Sequence, residues 1–268
     1  MKLLLLILFL PLSIFAGEMS FTVSPAIVKF ETVQGSVKAF DLSFFNQSDN
    51  KLNVKVKVMD ITLDEHGVPI ISKASTRPNQ WAKFVKLSKR KFVVKSAEFE
   101  KIHVTLNTPR GRLGGGYFAV VFNATARASR GVNKKAQNVM SISGQLPSLF
   151  IGEISRTGKL KVKVRKSGIN KAPYTKDHPF KLRYLIKNTG TTHMNLTGDV
   201  LLRYKKKVIS RLKLESGSGL IFPGGSRYFT AVWKKANKFV GKKLIAEARF
   251  NYKGGRISKK LVVRVPNK

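Results

Sequence analysis

Period-two alternation of apolar and polar residues governs this chain. From Lys51 to Asp64, KLNVKVKVMDITLD sets Leu52, Val54, Val56 and Val58 on one side of an extended backbone and Asn53, Lys55 and Lys57 on the other. Successive side chains of a strand point to opposite faces, so the pattern predicts a half-buried antiparallel strand. Similar runs are FTVSPAIVKFE from Phe21, VKAFDLSFFN from Val37, AEFEKIHVTLNTP from Ala97, YFAVVFNATA from Tyr117 and KLKVKVRK from Lys159. They continue as FKLRYLIKN from Phe180, GDVLLRYKKKVISRLKL from Gly198, SRYFTAVW from Ser226, KKLIAEARFNY from Lys242 and RISKKLVVRV from Arg256. Turn signals separate them, among them QG at Gln34, NQSDN at Asn46, EHG at Glu65, NTG at Asn188, PGG at Pro223 and KGG at Lys253. Apolar stripes at helical spacing are hard to find. The chain is therefore read as all-β, its short strands packed as β-sandwiches.

The two halves echo each other. FFNQSDN at Phe44 and LIKNTGTTH at Leu185 each end a strand on Asn, follow it with a polar turn, and lead into a long strand. Later, GGGYFAVVF in the first half and FVGKKLIAEARFNY in the second pair glycine with an aromatic-bearing strand. This predicts two tandem immunoglobulin-like sandwiches, 17–154 and 155–268, with the boundary where VMSISGQLPSLFIGEI gives way to RTG. The basic stretch RASRGVNKKAQ from Arg127 reads as a long loop between two strands of the first sandwich, because the strand-like VMSIS follows at once.

Residues 1–16, MKLLLLILFLPLSIFA, carry one lysine and an apolar run of about a dozen residues, and end on a small residue. The segment reads as a secretory signal peptide cut near Ala16, too short to span a bilayer. It predicts a periplasmic or cell-surface location. The sequence has no cysteine, which excludes disulfides, thiol catalysis and thiolate metal sites.

Lys and Arg number 51 against 14 Asp and Glu, a formal charge of +37. Such a field attracts polyanions. For an exported chain the candidates are peptidoglycan, lipopolysaccharide, teichoic acid, anionic lipid or DNA, held by Lys-rich faces such as Lys205, Lys206 and Lys207. Compositional bias accounts for the same charge, since the lysines are spread along the whole chain.

Catalytic chemistry finds no footing. GRLGGGYFAVVF, from Gly111, has the glycine density of a phosphate-binding loop, but a strand-forming run follows where that loop needs a helix N-terminus. The glycines are expected to turn the chain into a core strand whose Tyr117, Phe118, Val120 and Phe122 pack the sandwich. The four histidines lack metal-ligand spacing, and no GxSxG marks a nucleophile. Neither catalytic residues nor a cofactor, metal or small-molecule substrate is expected. Trp81 and Trp233 read as core indoles.

The first half resembles the N-terminal domain of periplasmic pilus-assembly chaperones, the PapD-like family. SFTVSPAIVKFETVQGSVKAFDLSFFNQSDNKLNVKVKV, followed by NQWAKFVKLSKRKFVVKSAEFEKIHVTLNTPRGRLGGGYFAVVF, is similar in its order of parts. That order is a first strand, a strand ending in Asn, a Trp-containing approach, a strand ending in Pro and a Tyr-Phe strand. NVMSISGQLPSLF, from Asn138, resembles the strand by which such chaperones donate alternate apolar side chains to an incomplete pilin. The resemblance implies a protein subunit as partner, held by Met140, Ile142 and Leu146. It also implies an Arg in the first strand and a Lys in the donor strand to hold a terminal carboxylate. Ser24 and Pro25, with Lys29 further on, stand near the first position, and Leu146 and Pro147 near the second. The second half, NTGTTHMNLTGDVLLRYKKKVISRLKLESGSGLIFPGGSRYFTAVW from Asn188 and VGKKLIAEARFNY from Val240, resembles fibronectin-like modules of bacterial surface proteins, in which a Pro-Gly turn precedes an outward strand and a glycine starts the next. The pair is also similar to the WxL-interacting proteins, which implies a peptidoglycan partner.

Overall fold

In a computed structural model of the chain, which describes residues 19–127, 141–171, 174–175 and 178–265, the regular elements are strands and two short 3-10 turns. The predicted signal segment, Met140 and the basic loop beyond Arg127 lie outside the described residues. The first half supplies β1 (Phe21–Ser24), β2 (Ile27–Thr32), β3 (Val37–Asn46), β4 (Leu52–Leu63) and β5 (Pro69–Ser72). It continues with β6 (Val85–Leu87), β7 (Lys91–Val94), β8 (Phe99–Asn107), β9 (Gly115–Arg127) and β10 (Ser141–Ile154). The second half supplies β11 (Val162–Ile169), β12 (Phe180–Asn188), β13 (Met194–Asn195), β14 (Thr197–Tyr204) and β15 (Lys207–Lys213). It ends with β16 (Leu220–Ile221), β17 (Ser226–Trp233), β18 (Lys243–Tyr252) and β19 (Gly255–Arg264).

Two β-sandwiches result, each around its own apolar cluster. In the first, the sheet β1-β3-β8-β6 faces the sheet β2-β10-β9-β4-β5, whose β4 also pairs β7. In the second, β11-β12-β17 faces β15-β14-β18-β19, and the small pair β13-β16 closes one end. Trp81 belongs to the first core and Trp233 to the second.

Three sequence readings need correction. The run from Phe21 is not one strand but two, because Pro25 offers no N–H to a ladder. β1 pairs β3 in one sheet, and after the Ser24–Pro25 bond, which is cis, β2 pairs β10 in the other. The run from Gly198 is a hairpin: β14 and β15 meet through Lys205 and Lys206, both in the left-handed region at φ 47° and 68°. Glycine, asparagine or aspartate normally marks such a turn, so two lysines conceal it.

The third correction concerns β9, which is buried on both faces. Phe118, Val120 and Phe122 enter the first core as expected. Tyr117, Ala119 and Val121 point the other way, into a third apolar cluster with Ile61, Ile151 and Phe222 of the second sandwich. Tyr117 and Phe222 stack with ring centroids 3.9 Å apart. A strand covered on both sides needs an unbroken apolar run rather than an alternating one, which is what YFAVVF supplies.

The two Asn-ended strands reveal why they echo. Asn46 and Asn188 are fully buried. The Nδ2 of Asn46 donates to the carbonyls of Asn50 (2.8 Å) and Val94 (3.1 Å), while its Oδ1 accepts from Ser48 N (3.0 Å). The Nδ2 of Asn188 donates to the carbonyls of Thr192 (2.8 Å) and Ile221 (3.0 Å), and its Oδ1 accepts from Gly190 N (2.8 Å). In both sandwiches one amide closes the following turn and ties it to a neighbouring segment, satisfying backbone groups that burial has removed from water.

Candidate functional site

The side of the first sandwich where β1 and β10 run along the two sheet margins is where apolar surface and unpaired backbone coincide. β10 pairs β9 antiparallel from Ser141 to Glu153, but β2 covers its other side only from Leu149 to Ile154. Among the described residues, 141–148 therefore keep one side without a ladder partner, roughly 25 Å of edge at the rise of a strand.

The side chains along this edge alternate. Phe150 lies in the core, which places Ser148, Leu146, Gly144 and Ile142 on the core-facing side of the same strand. Toward the open end that side loses its cover: Leu146 is 38% and Ile142 39% exposed. Between them, a side chain at Gly144 would stand 2.7 Å from the methyl of Met19 and 3.0 Å from the ring of Phe21. Glycine thus lets the margin of the other sheet close under the edge. The result is an apolar ledge of Ile142, Leu146, Met19 and Phe21. The first two were legible from the alternation. Met19 and Phe21 were not, because only the fold brings them to β10.

At the place where the resemblance implies a carboxylate-binding Arg and Lys, the strands make a neutral contact. The Ser148 hydroxyl donates to the Pro25 carbonyl at 2.7 Å, and Leu149 N donates to Ala26 O at 2.9 Å. Lys29 pairs in register with Ile151, on the side of the sheet that faces the second sandwich. The lysines 205–207 stand at the far tip of the second sandwich, on the β14–β15 turn, so the two sets of predicted site residues occupy different surfaces.

Between the sandwiches lies a cleft of about 460 Å³, lined by Glu31, Glu153, Arg156, Thr192, His193 and Lys253 among others. Sequence reasoning did not find this group, whose members come from separated turns and strands. The Thr192 hydroxyl donates to Glu153 Oε2 at 2.8 Å, and Tyr117 OH lies 3.3 Å from His193 Nδ1. Gly115 N donates to Thr191 O at 2.8 Å, and at the opposite side Tyr228 N donates to Glu65 O at 2.8 Å. The EHG turn, which reads in sequence as a simple hairpin end, thus docks on β17.

Burial pushes the Tyr117 phenol up. Burial lowers His193 below a histidine's ordinary range, and Lys29 lowers it further, against the opposing pull of Glu153. A folded-state value below the unfolded one, about 6.5, means that stability from this site is complete above that pH and is lost as pH falls through it. Acidification from about pH 7 to about pH 5 should therefore lower the melting temperature. His193→Gln should flatten that slope. A slope identical in both proteins would show that His193 does not couple protonation to the contact between the sandwiches.

No protein-family model matches the sequence, and no curated protein does. Among solved structures, the chain is similar to the class 5 fimbriae chaperone CfaA, at 12% identity over 92% of this chain and 100% of that one, with a TM-score of 0.46. It is similar to a chain of the chaperone–tip adhesin complex of CFA/I fimbriae biogenesis (13% identity, 92% and 100% covered, TM-score 0.45). It is also similar to the YadV chaperone (11% identity, 91% and 99% covered, TM-score 0.42).

Proposed function

We propose that this protein is a secreted, non-catalytic assembly factor of the cell envelope that holds a protein subunit by strand pairing along β10. The observation that carries the reading is the unpaired side of residues 141–148, set beside the exposed Ile142 and Leu146. An open edge offers N–H and C=O groups at the spacing of an incoming strand, and alternate side-chain positions give selectivity. The ledge of Ile142, Leu146, Met19 and Phe21 supplies apolar surface that the arriving strand covers. The partner is a secreted or surface subunit lacking a strand, which the added edge completes. The location is the periplasm or cell surface, in keeping with the N-terminal segment. Met140, on the same alternation as Ile142, extends the contact.

The neutral Ser148–Pro25 contact gives this reading a particular form. Affinity comes from backbone pairing and apolar side chains rather than from a buried charge pair at the strand switch. Ile142→Asp together with Leu146→Asp should weaken capture of the co-purifying subunit about 100-fold, since two apolar anchors are lost and two charges meet an apolar strand. Both sites are exposed, so the melting temperature should hardly move. Undiminished capture by the double variant would contradict the proposal.

A further inference from the structure

The outer face of the β15-β14-β18-β19 sheet carries a charge pattern that strand docking does not use. Register places Arg211 beside Leu201, Leu201 beside Glu247, and Glu247 beside Lys260. The next row holds Lys213, Asp199 and Arg249. At one end Lys243 lies opposite Arg264, and toward the other Asn251 lies opposite Arg256. Asp199 and Glu247 are the acids of these rows, and both are neutralised. Arg211 Nε lies 3.0 Å from Asp199, while Glu247 is shared by Arg249 at 3.2 Å and Arg203 at 3.7 Å. Among the described residues, no carboxylate pairs with Lys213, Lys243, Arg256, Lys260 or Arg264. Like charges directly opposite one another, as at Lys243 and Arg264, destabilise a sheet, so stability does not account for that pair.

Apolar residues interrupt the cations in one row. Ile245 and Val262 are cross-strand partners, 44% and 57% exposed, and Val208, next to Arg203, is 50% exposed. The aromatic residues of these strands, Tyr204, Phe250 and Tyr252, turn inward to the core. Toward the Asn251 end of the face, Arg211, Arg249 and Arg256 border a recess of about 390 Å³ that also contains Asp199. The Lys205–Lys206 turn extends the face at the Lys243 end.

We propose that this face binds the surface of an anionic lipid membrane, its arginines and lysines on headgroup phosphates and Val208, Ile245 and Val262 at the headgroup–acyl boundary. Guanidinium groups suit phosphate through their planar fork, and a basic face with aliphatic residues among its charges matches a bilayer surface. Single-stranded nucleic acid calls instead for exposed aromatic rings on which bases stack, and this face has none among its described residues. The inference stands apart from strand docking, since β10 lies in the other sandwich.

The test is flotation of the full chain with vesicles of phosphatidylglycerol in phosphatidylcholine, with vesicles of phosphatidylcholine alone and duplex DNA as separate arms. Binding is expected to be tighter to the anionic vesicles than to duplex DNA, absent with phosphatidylcholine alone, and to weaken with added salt. Arg256→Glu, Lys260→Glu and Arg264→Glu together should weaken it on the order of 100-fold or more, at about 1 kcal/mol for each basic group lost near an anionic surface. Ile245→Ser with Val262→Ser should remove the fraction that survives high salt. If the triple glutamate variant melts early, the corresponding glutamines give the same comparison at smaller amplitude. Three results would overturn the proposal: no binding at low salt, tighter binding to DNA than to vesicles, or an equal loss from Lys86→Glu, Lys91→Glu and Lys101→Glu in the first sandwich. The last would reduce the effect to net charge.

Discussion

Alanine at position 116 should destabilise the first sandwich by about 3 kcal/mol, the upper end of the range for overpacking a core. A Cβ there would fall 1.9 Å from Trp81 Cδ2 and 2.0 Å from Cε2, well inside contact distance. The indole has nowhere to go. Trp81 is fully buried, its backbone N–H donates to Tyr117 O at 3.2 Å, and Asn79 O accepts from Tyr117 N at 3.0 Å, so the backbone from Asn79 to Trp81 is fastened to β9. Chemical denaturation of Gly116→Ala, followed through far-ultraviolet circular dichroism, which does not depend on Trp81, reads the loss. Trp81→Phe provides the control: among the described residues the indole Nε1 has no hydrogen-bond partner, so the smaller ring gives up volume alone. The double variant should be more stable than the sum of the two single losses predicts. Strict additivity would show that the two residues do not contend for the same space.

The second large effect is expected at the paired asparagines. Asn46→Ala or Asn188→Ala should cost about 2–4 kcal/mol each, because every such change leaves buried carbonyls without a donor. For Asn188 the abandoned acceptors are the carbonyls of Thr192 and Ile221. For Asn46 they are the carbonyls of Val94 and Lys95. Asn→Asp at either site should be worse than Asn→Ala, because a carboxylate would meet those carbonyls. Thermal melts and urea titrations of the single variants measure the losses. A change below about 0.5 kcal/mol at both positions, the size of an ordinary surface substitution, would show that the turns hold without the amides.

Much of this architecture could be read from the amino-acid order, for a physical reason. Where a strand has one wet and one dry face, as β3, β4 and β17 do, the period-two pattern is sharp and gives both element and orientation. The turn asparagines were visible as a repeated motif, although their burial was not. Legibility failed where the environment departs from that half-buried case. β9 is dry on both faces, so its run says little about which side meets which core. The Lys205–Lys206 turn uses residues that ordinarily mark a continuing strand. The strand switch at Pro25 needs knowledge of two sheets at once.

The candidate site divides the same way. Ile142 and Leu146 lie on a single strand and follow from alternation. The partners Met19 and Phe21, and the Tyr117–His193 and Thr192–Glu153 contacts, join segments far apart in sequence. No local signal announces such pairs. The basic face of the second sandwich was hidden by a related effect: lysines and arginines spread evenly along the chain become one surface only when four strands are set in register.

Hydrogen exchange along β10 tests the central claim most directly. In the free protein, those amides of residues 141–148 that face away from β9 lack a ladder partner and should exchange quickly. In the complex with its co-purified subunit, they should slow by at least about tenfold in an alternating pattern, as an added strand takes up every second N–H. Unchanged exchange along 141–148, with protection appearing elsewhere on the chain, would contradict strand docking at this edge.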